Sequence, residues 1–191
     1  MAGLVMARCY SDAMEPRQPL PPIWLISDSR NDAVLETTLA RLPRGSGFVF
    51  RHYHLATDAR RARFDVLVRQ CRTLGHMVIL ADSAEVAAAW QADGAYGRPD
   101  QLGPPAGLLR LAAAHDAEEI AVANRANADG IFLSPVFATR SHPDGHPLGP
   151  DRFRALAALA NAPVIALGGM NAARAAELNW PRWAAIDAFL R

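Results

Sequence analysis

A single compact (β/α)8 barrel is the fold that this sequence predicts, on three observations. Eight short apolar runs alternate along the chain with segments of helical spacing. Several runs end in small or polar residues, as the first does in Ser27-Asp28, which is how barrel strands pass into ligand-binding loops. Gly168-Gly169 follows one run directly and precedes a helix, where bare backbone can approach an anion. No G-x-G-x-x-G follows the first run, which argues against an open doubly wound sheet.

The elements follow in order. Residues 23–28 form the first strand, and residues 32–42 have helical spacing that stops before Pro43. Residues 48–51 are the second strand. An Arg-rich amphipathic helix is predicted over 58–74, with Phe64, Val66, Leu67 and Val68 inward and Gly75 as its C-cap. The third strand is 77–80, followed by a helix over 83–91 with Ser83 as N-cap. Short strands at 94–96 and 108–111 precede a helix over 116–127 capped by Asp116. Strands at 130–133, 164–167 and 183–186 alternate with helices over 151–160 and 172–178. Roughly 170 residues follow the N-terminal tail, against about 250 in a typical barrel. The sequence stops at Arg191, so the last helix is expected to be missing or truncated, its flank left to the tail or to a second subunit in a homodimer. The expected organisation is a poorly ordered tail over 1–22, with Met14 as a second candidate start, and one barrel domain over 23–191.

Composition narrows the chemistry. A chain of 191 residues that is 51% hydrophobic suits one domain with a real core. A net charge of +1 gives no pull toward nucleic acid or a membrane surface. All 20 basic residues are arginine, which excludes a lysine Schiff base and a Walker-type phosphate loop. Cys9 and Cys71 are too few for a disulfide framework, pointing to a reduced, cytoplasmic location. No apolar run approaches the roughly 20 residues of a membrane span.

The motifs carry a more specific signal. Ile23-Trp24-Leu25-Ile26-Ser27-Asp28 resembles an L-Y-L-I-T-D opening strand, Phe50-Arg51 an aromatic-Arg pair, and Gly97-Arg98-Pro99-Asp100 a G-Q-x-D turn. Residues 113–119 resemble S-x-H-x-x-x-E, residues 134–143 resemble G-P-[IV]-F-x-T-x-[TS]-K-P, and Val164–Met170 follows [VI]-x-A-[IL]-G-G-[IM]. On these residues the chain resembles the thiamine-phosphate synthase family, which includes the TenI-like thiazole tautomerases. The resemblance covers roughly residues 23–189. It implies an active site at the C-terminal mouth of the barrel, a thiazole phosphate on the glycine loop, and a hydroxymethylpyrimidine diphosphate with Mg2+ held by two aspartates, here Asp82 and Asp100. It further implies catalytic roles for Arg51 and His115, and substrate binding by Thr139, Arg140, His142, Gly168 and Gly169. The chain departs from the pattern at Val49, Tyr53, Ala81, Ala113, His142 and Asp187, where the family carries Gln, Lys, Asn, Ser, Lys and Ser. The losses bear on the diphosphate side, and Asp187 would set a carboxylate near the thiazole phosphate. Three functions follow from the resemblance: synthase, His115-based tautomerase, or a non-catalytic barrel that binds thiazole phosphate.

Each candidate has a plainer alternative. His115 is an acid/base or a helix cap, Arg51 an anion clamp or a strand-end ion pair, and Asp82 and Asp100 are metal ligands or else helix caps and solvated loop charges. Gly168-Gly169 is a phosphate cradle or a tight turn. His142, Asp144 and His146 suggest a lid more than a metal site. His52 and His54 are expected at the surface, with a supporting role beside Arg51 as the alternative, Arg60-Arg61-Arg63 on a solvated helix face, and Trp180 and Trp183 in the core or a dimer contact.

Overall fold

The computed structural model describes residues 19–104, 107–141 and 145–189. The strands are β1 (Ile23–Ile26), β2 (Gly47–Phe50), β3 (Met77–Leu80), β4 (Gly94–Gly97), β5 (Leu109–Ala114), β6 (Gly130–Leu133), β7 (Val164–Ala166) and β8 (Trp183–Ala185). They are parallel neighbours in sequence order, and β1 pairs with β8, closing the barrel. The helices are α1 (Leu35–Arg41), entered through a 3-10 turn at Asp32–Val34, then α2 (Thr57–Leu74), α3 (Ala84–Ala89), α4 (Ala117–Arg125), α5 (Gly149–Ala157) and α6 (Ala172–Leu178). Among the described residues no helix joins β4 to β5 and none follows β8. This is the predicted (β/α)8 barrel.

Strand alternation divides the core into two bodies. Trp24, Ile26, Val49, Ile79, Leu111, Phe132, Ile165 and Ala184 fill the barrel. Leu25, Phe48, Phe50, Val78, Leu80, Ile131, Leu133 and Ala166 face outward to the helices. The Trp24 ring packs edge-on to Phe132 at 5.4 Å. It fits because position 47 is glycine: a methyl group there would land on the indole. Leu20 and Pro21 are buried, and the Trp24 Nε1–H donates to the Pro21 carbonyl at 2.7 Å. The chain is therefore packed against the barrel from residues 19–22 onward.

The predicted caps form. Ser83 Oγ accepts from Val86 N, Asp116 accepts from Glu119 N, and Gly75 ends α2 at φ 71°. β5 runs three residues beyond its predicted end, because Ala112–Ala114 are too small to register as an apolar run; Ala112 and Ala114 join the outer core and Ala113 lines the barrel mouth. Val66 is a correction: it is 43% exposed. The buried stripe of α2 is Arg60, Phe64, Leu67, Val68 and Cys71, so an arginine holds the place that Val66 was expected to share. Burial pushes the Cys71 thiol up to about 12, which leaves it protonated and inert. Trp180 packs edge-on to Phe153, and Trp183 stacks on Phe189, so both belong to the core.

Candidate active site

The C-terminal ends of the strands surround a cavity of about 750 Å³. Arg51, Tyr53, Tyr96, Arg98, His115, Thr139, Arg140, Gly168, Gly169, Arg174 and Asp187 are among the residues that line it. Tyr96 forms part of the wall, its ring edge-on to Phe132 at 5.1 Å. Burial pushes its phenol up to about 12, so it stays a neutral hydroxyl. A side chamber of about 360 Å³ shares Tyr53, Tyr96, Gly97 and Gln101 with the main cavity and adds Asp82 and Ser83.

One side of the mouth is built from backbone. Gly168 and Gly169 sit at φ 91° and 62°, the left-handed region that glycine enters without strain. A methyl group on Gly168 would come within 2.6 Å of Pro135 Cα, and one on Gly169 would strike the Ala138 carbonyl. Among the described residues the amide N–H groups of both glycines make no hydrogen bond within the chain. Arg174, in the first turn of α6, donates to the Gly169 carbonyl and lies over the Phe137 ring at 4.9 Å. Thr139 and Arg140 line the same cavity from the loop after β6; His142, with Pro143 and Asp144, lies outside the described residues.

The carboxylate near this cradle is already paired. Asp187 bonds to Arg30 Nη1 at 3.3 Å. Arg30 also donates to Asp28 at 2.8 Å and to Ser141 Oγ at 2.9 Å, tying the ends of β1 and β8 to the β6 loop. Arg30 therefore offsets part of the repulsion expected from Asp187, being shared with Asp28.

Arg51 is held from beneath. Its N–H donates to Ser27 Oγ at 2.8 Å. Ser27 Oγ is 2.8 Å from His52 Nδ1, and His52 Nε2 is 2.8 Å from Asp32. The carboxylate accepts from Nε2–H, so the neutral ring accepts the Ser27 O–H at Nδ1. His52 is 1% exposed, which corrects the surface placement. Its φ of 44° turns the ring inward, stacked on Phe50 at 4.6 Å, where the strand alternation no longer applies. Burial pulls its pKa down against the opposing pull of Asp32. The ligand atoms of Asp32, His52 and His54 lie within 4.8 Å of one another, but the Asp32 oxygen that meets His52 also accepts from Arg63 at 2.7 Å.

The arginine run of α2 is a second correction, since it is not a solvated face. Arg60 is 9% exposed. Its guanidinium donates to the Arg51 carbonyl, to Asp82 Oδ2 and to the Ala81 carbonyl, each at 2.8 Å. Arg63 pairs with Asp32 and Glu36, and Arg61 with Asp65. Asp82 Oδ1 accepts from Ser83 N at 2.9 Å, so both its oxygens are engaged. Asp100 is exposed and pairs with Arg98 at 3.3 Å. Neither carboxylate lines the main cavity. Mg2+ demands octahedral oxygens at about 2.0–2.1 Å. Two unit charges about 4 Å apart repel by about 4 kcal/mol near a protein surface, and a divalent ion doubles that against Arg60. These residues as arranged do not fit a resident divalent cation.

His115 lines the cavity, and its Nδ1–H donates to Glu119 Oε2 at 2.7 Å. The same oxygen accepts from His115 N at 2.8 Å. Asp116, not His115, caps α4 with its side chain. The Nε2 of the neutral ring is left as a base. Arg30, Arg60, Arg174 and the part of Ser27 beneath Arg51 were missed in the sequence, while His52 takes the supporting place beside Arg51 that was its alternative there. Only Arg60 left a trace there: it stands four residues before Phe64 and seven before Leu67, on the buried stripe.

Residues 23–186 match the thiamine monophosphate synthase (TMP-TENI) family. The chain belongs to this family. A thiamine-phosphate synthase of Geobacillus thermodenitrificans is 30% identical over 183 residues, 87% of this chain and 80% of that protein. The thiamine biosynthesis bifunctional protein ThiM/ThiE of Symbiobacterium thermophilum is 32% identical over 195 residues; the match spans 90% of this chain and 40% of the length of that relative. The solved thiamine phosphate pyrophosphorylase of Pyrococcus furiosus superposes with a TM-score of 0.72 at 23% identity, over 87% of this chain and 85% of that one, which establishes the shared fold. Among the described residues no helix is long and apolar enough to cross a membrane.

Proposed function

We propose that this chain is a transferase of thiamine biosynthesis that joins a phosphorylated thiazole to hydroxymethylpyrimidine diphosphate. The observation that carries the reading is the glycine cradle. Two unbonded amides open onto a cavity that also presents Arg51, Arg98, Arg140 and Arg174. Uncommitted N–H groups at positive-φ glycines form an anion-binding concavity, and arginine matches phosphate oxygens in pairs. A cavity of about 750 Å³ lies within the range of small-molecule sites, about 300–1,000 Å³. The substrates are small soluble anions, in keeping with a cytoplasmic setting.

The thiazole phosphate sits on Gly168, Gly169 and Arg174, and the pyrimidine lies toward Tyr53, Tyr96 and the side chamber. The C–O bond to the diphosphate breaks, and the diphosphate departs with the electron pair. The thiazole nitrogen supplies the pair for the new C–N bond. Arg51, Arg98 and Arg140 stabilise the charge that builds on the leaving group; a preorganised donor of this kind contributes about 10²–10³ in rate. Their fixed positions carry the catalysis, since no proton need move in the bond-making step.

A second reading rests on His115. An imidazole held by Glu119 with Nε2 unprotonated has the form of an acid/base, and a thiazole tautomerase needs only that group and the phosphate cradle. One pair of assays separates the two. The transferase reading expects thiamine phosphate from both substrates, with His115→Gln changing the rate less than about tenfold. No product from the wild-type chain, together with proton exchange on the thiazole phosphate that His115→Gln abolishes, establishes the tautomerase instead.

A further inference from the structure

We infer that Arg60 takes the place of a divalent metal at Asp82, so that arginines alone hold the anionic second substrate. The inference rests on the transferase reading for the identity of that anion, a diphosphate ester. The state of Asp82 rests on geometry alone. Arg60 is buried, and all three of its donor contacts are at 2.8 Å. Its guanidinium also lies 5.3 Å from the Tyr53 ring and 5.4 Å from the Trp90 ring. A cation fixed by two strand-end carbonyls, a carboxylate and two aromatic faces has no free rotamer through which to leave.

Three consequences follow. Asp82 has no uncompensated charge to offer an ion: Ser83 N–H bonds one oxygen, and the Arg60 cation bonds the other and balances its charge. Asp100, the other carboxylate of the expected pair, is exposed and tied to Arg98. The side chamber beside Asp82 is, for the same reason, not repulsive to an anion: the arginine compensates the carboxylate that a metal would otherwise have to bridge. Arg60 also grips the carbonyl of Arg51, and Ser27 Oγ grips the Arg51 N–H, so the backbone beneath that cavity-lining cation is held from both sides. Arg60 is a positioning residue. Arg51, Arg98 and Arg140, which line the main cavity, are the groups that meet the diphosphate.

The test uses the full chain and two readouts. Mn2+ titration followed by electron paramagnetic resonance reports metal binding. Calorimetry with inorganic diphosphate in excess EDTA reports the anion. The wild type is expected to bind no Mn2+ at Asp82 more tightly than about 1 mM, and to bind diphosphate in EDTA. The diphosphate affinity should fall at least about tenfold in Arg98→Ala. Arg60→Gln, which frees Asp82 while keeping hydrogen bonds to the carbonyls, is expected to tighten Mn2+ binding at least about tenfold. Mn2+ bound by the wild type and lost in Asp82→Asn overturns the inference. So does diphosphate binding that appears only when Mg2+ is added. Mn2+ binding unchanged by Asp82→Asn lies elsewhere and supports it. A folded Arg60→Gln with no gain of Mn2+ overturns the assignment to Arg60. If that variant does not fold, the wild type and Asp82→Asn decide by themselves. The coupling assay fails separately: a chain silent to Mn2+ that makes no thiamine phosphate under any condition defeats the transferase reading and leaves the account of Asp82 standing.

Discussion

The two sides of the barrel mouth are made of different material. Around β6, β7 and β8 the site is backbone: two glycines at positive φ, uncommitted amides, and a loop pressed close enough that a methyl group on Gly168 would meet Pro135. Around β2, β3 and β4 it is side chain: Arg51, Arg60 and Asp82, linked by an ion pair and a carbonyl contact, with Arg98 paired to Asp100 beside them. The first kind is specified by residues that must be small, so it stands almost letter for letter in Val164–Met170. The second kind is specified by partners distant in sequence and can be rewired without moving the backbone. Here Ala81 and Tyr53 stand where the resemblance expects Asn and Lys, and an arginine from α2 has moved in.

That contrast is most easily broken at Gly168. Valine there adds a side chain at φ 91° and 2.6 Å from Pro135 Cα. Backbone strain of this kind costs about 1–3 kcal/mol. Thiazole phosphate binding by calorimetry should become undetectable, with a lower thermal midpoint. A variant that folds and binds as the wild type does removes the cradle from the site. On the opposite side, Arg51→Ala should lower the coupling rate by about 10²–10³. Affinity for thiazole phosphate alone should hardly change, because Arg51 serves the other half. An equal loss in both measurements would show that the two sides do not divide the substrates.

The support beneath Arg51 responds to acid. Burial holds His52 below its usual 6.5 despite Asp32. Below pH 6.5 the unfolded chain takes up a proton that folded His52 resists. Its contribution to stability is therefore flat above that value and falls as the pH drops toward the lowered folded pKa. Asp28 acts at more acid pH. Burial raises its carboxyl pKa, but the bonds to Arg30 outweigh that and leave it below its usual 3.8, so its contribution is present above 3.8 and is lost as the pH falls through the folded value. Urea midpoints measured from pH 8 down to pH 5 should decline, and His52→Gln should flatten the decline near 6. The smallest effect belongs at the outer face of α2. Val66, at 43% exposed, should tolerate alanine within about 0.5 kcal/mol, whereas Phe64→Ala on the buried stripe should cost about 3–5 kcal/mol.

Much of this protein follows from local sequence. Strands of alternating or continuous apolar residues, Ser83 and Asp116 at helix starts, Gly75 at a helix end and the Gly168-Gly169 turn are each set by residues within about one turn of one another, and all were legible. Tertiary structure decided the charges. His52 looked like an exposed strand-end residue until a positive φ and the hydroxyl of Ser27, 25 positions away, placed it inside. Arg60 looked solvated until Asp82, 22 positions on, gave it a buried partner. Asp187 looked unpaired until Arg30, 157 positions earlier, came within bonding distance of it. A glycine's conformational freedom is its own property and can be read where it stands. The role of a charged group depends on which opposite charge the fold brings within about 4 Å, and closure of the barrel makes that choice.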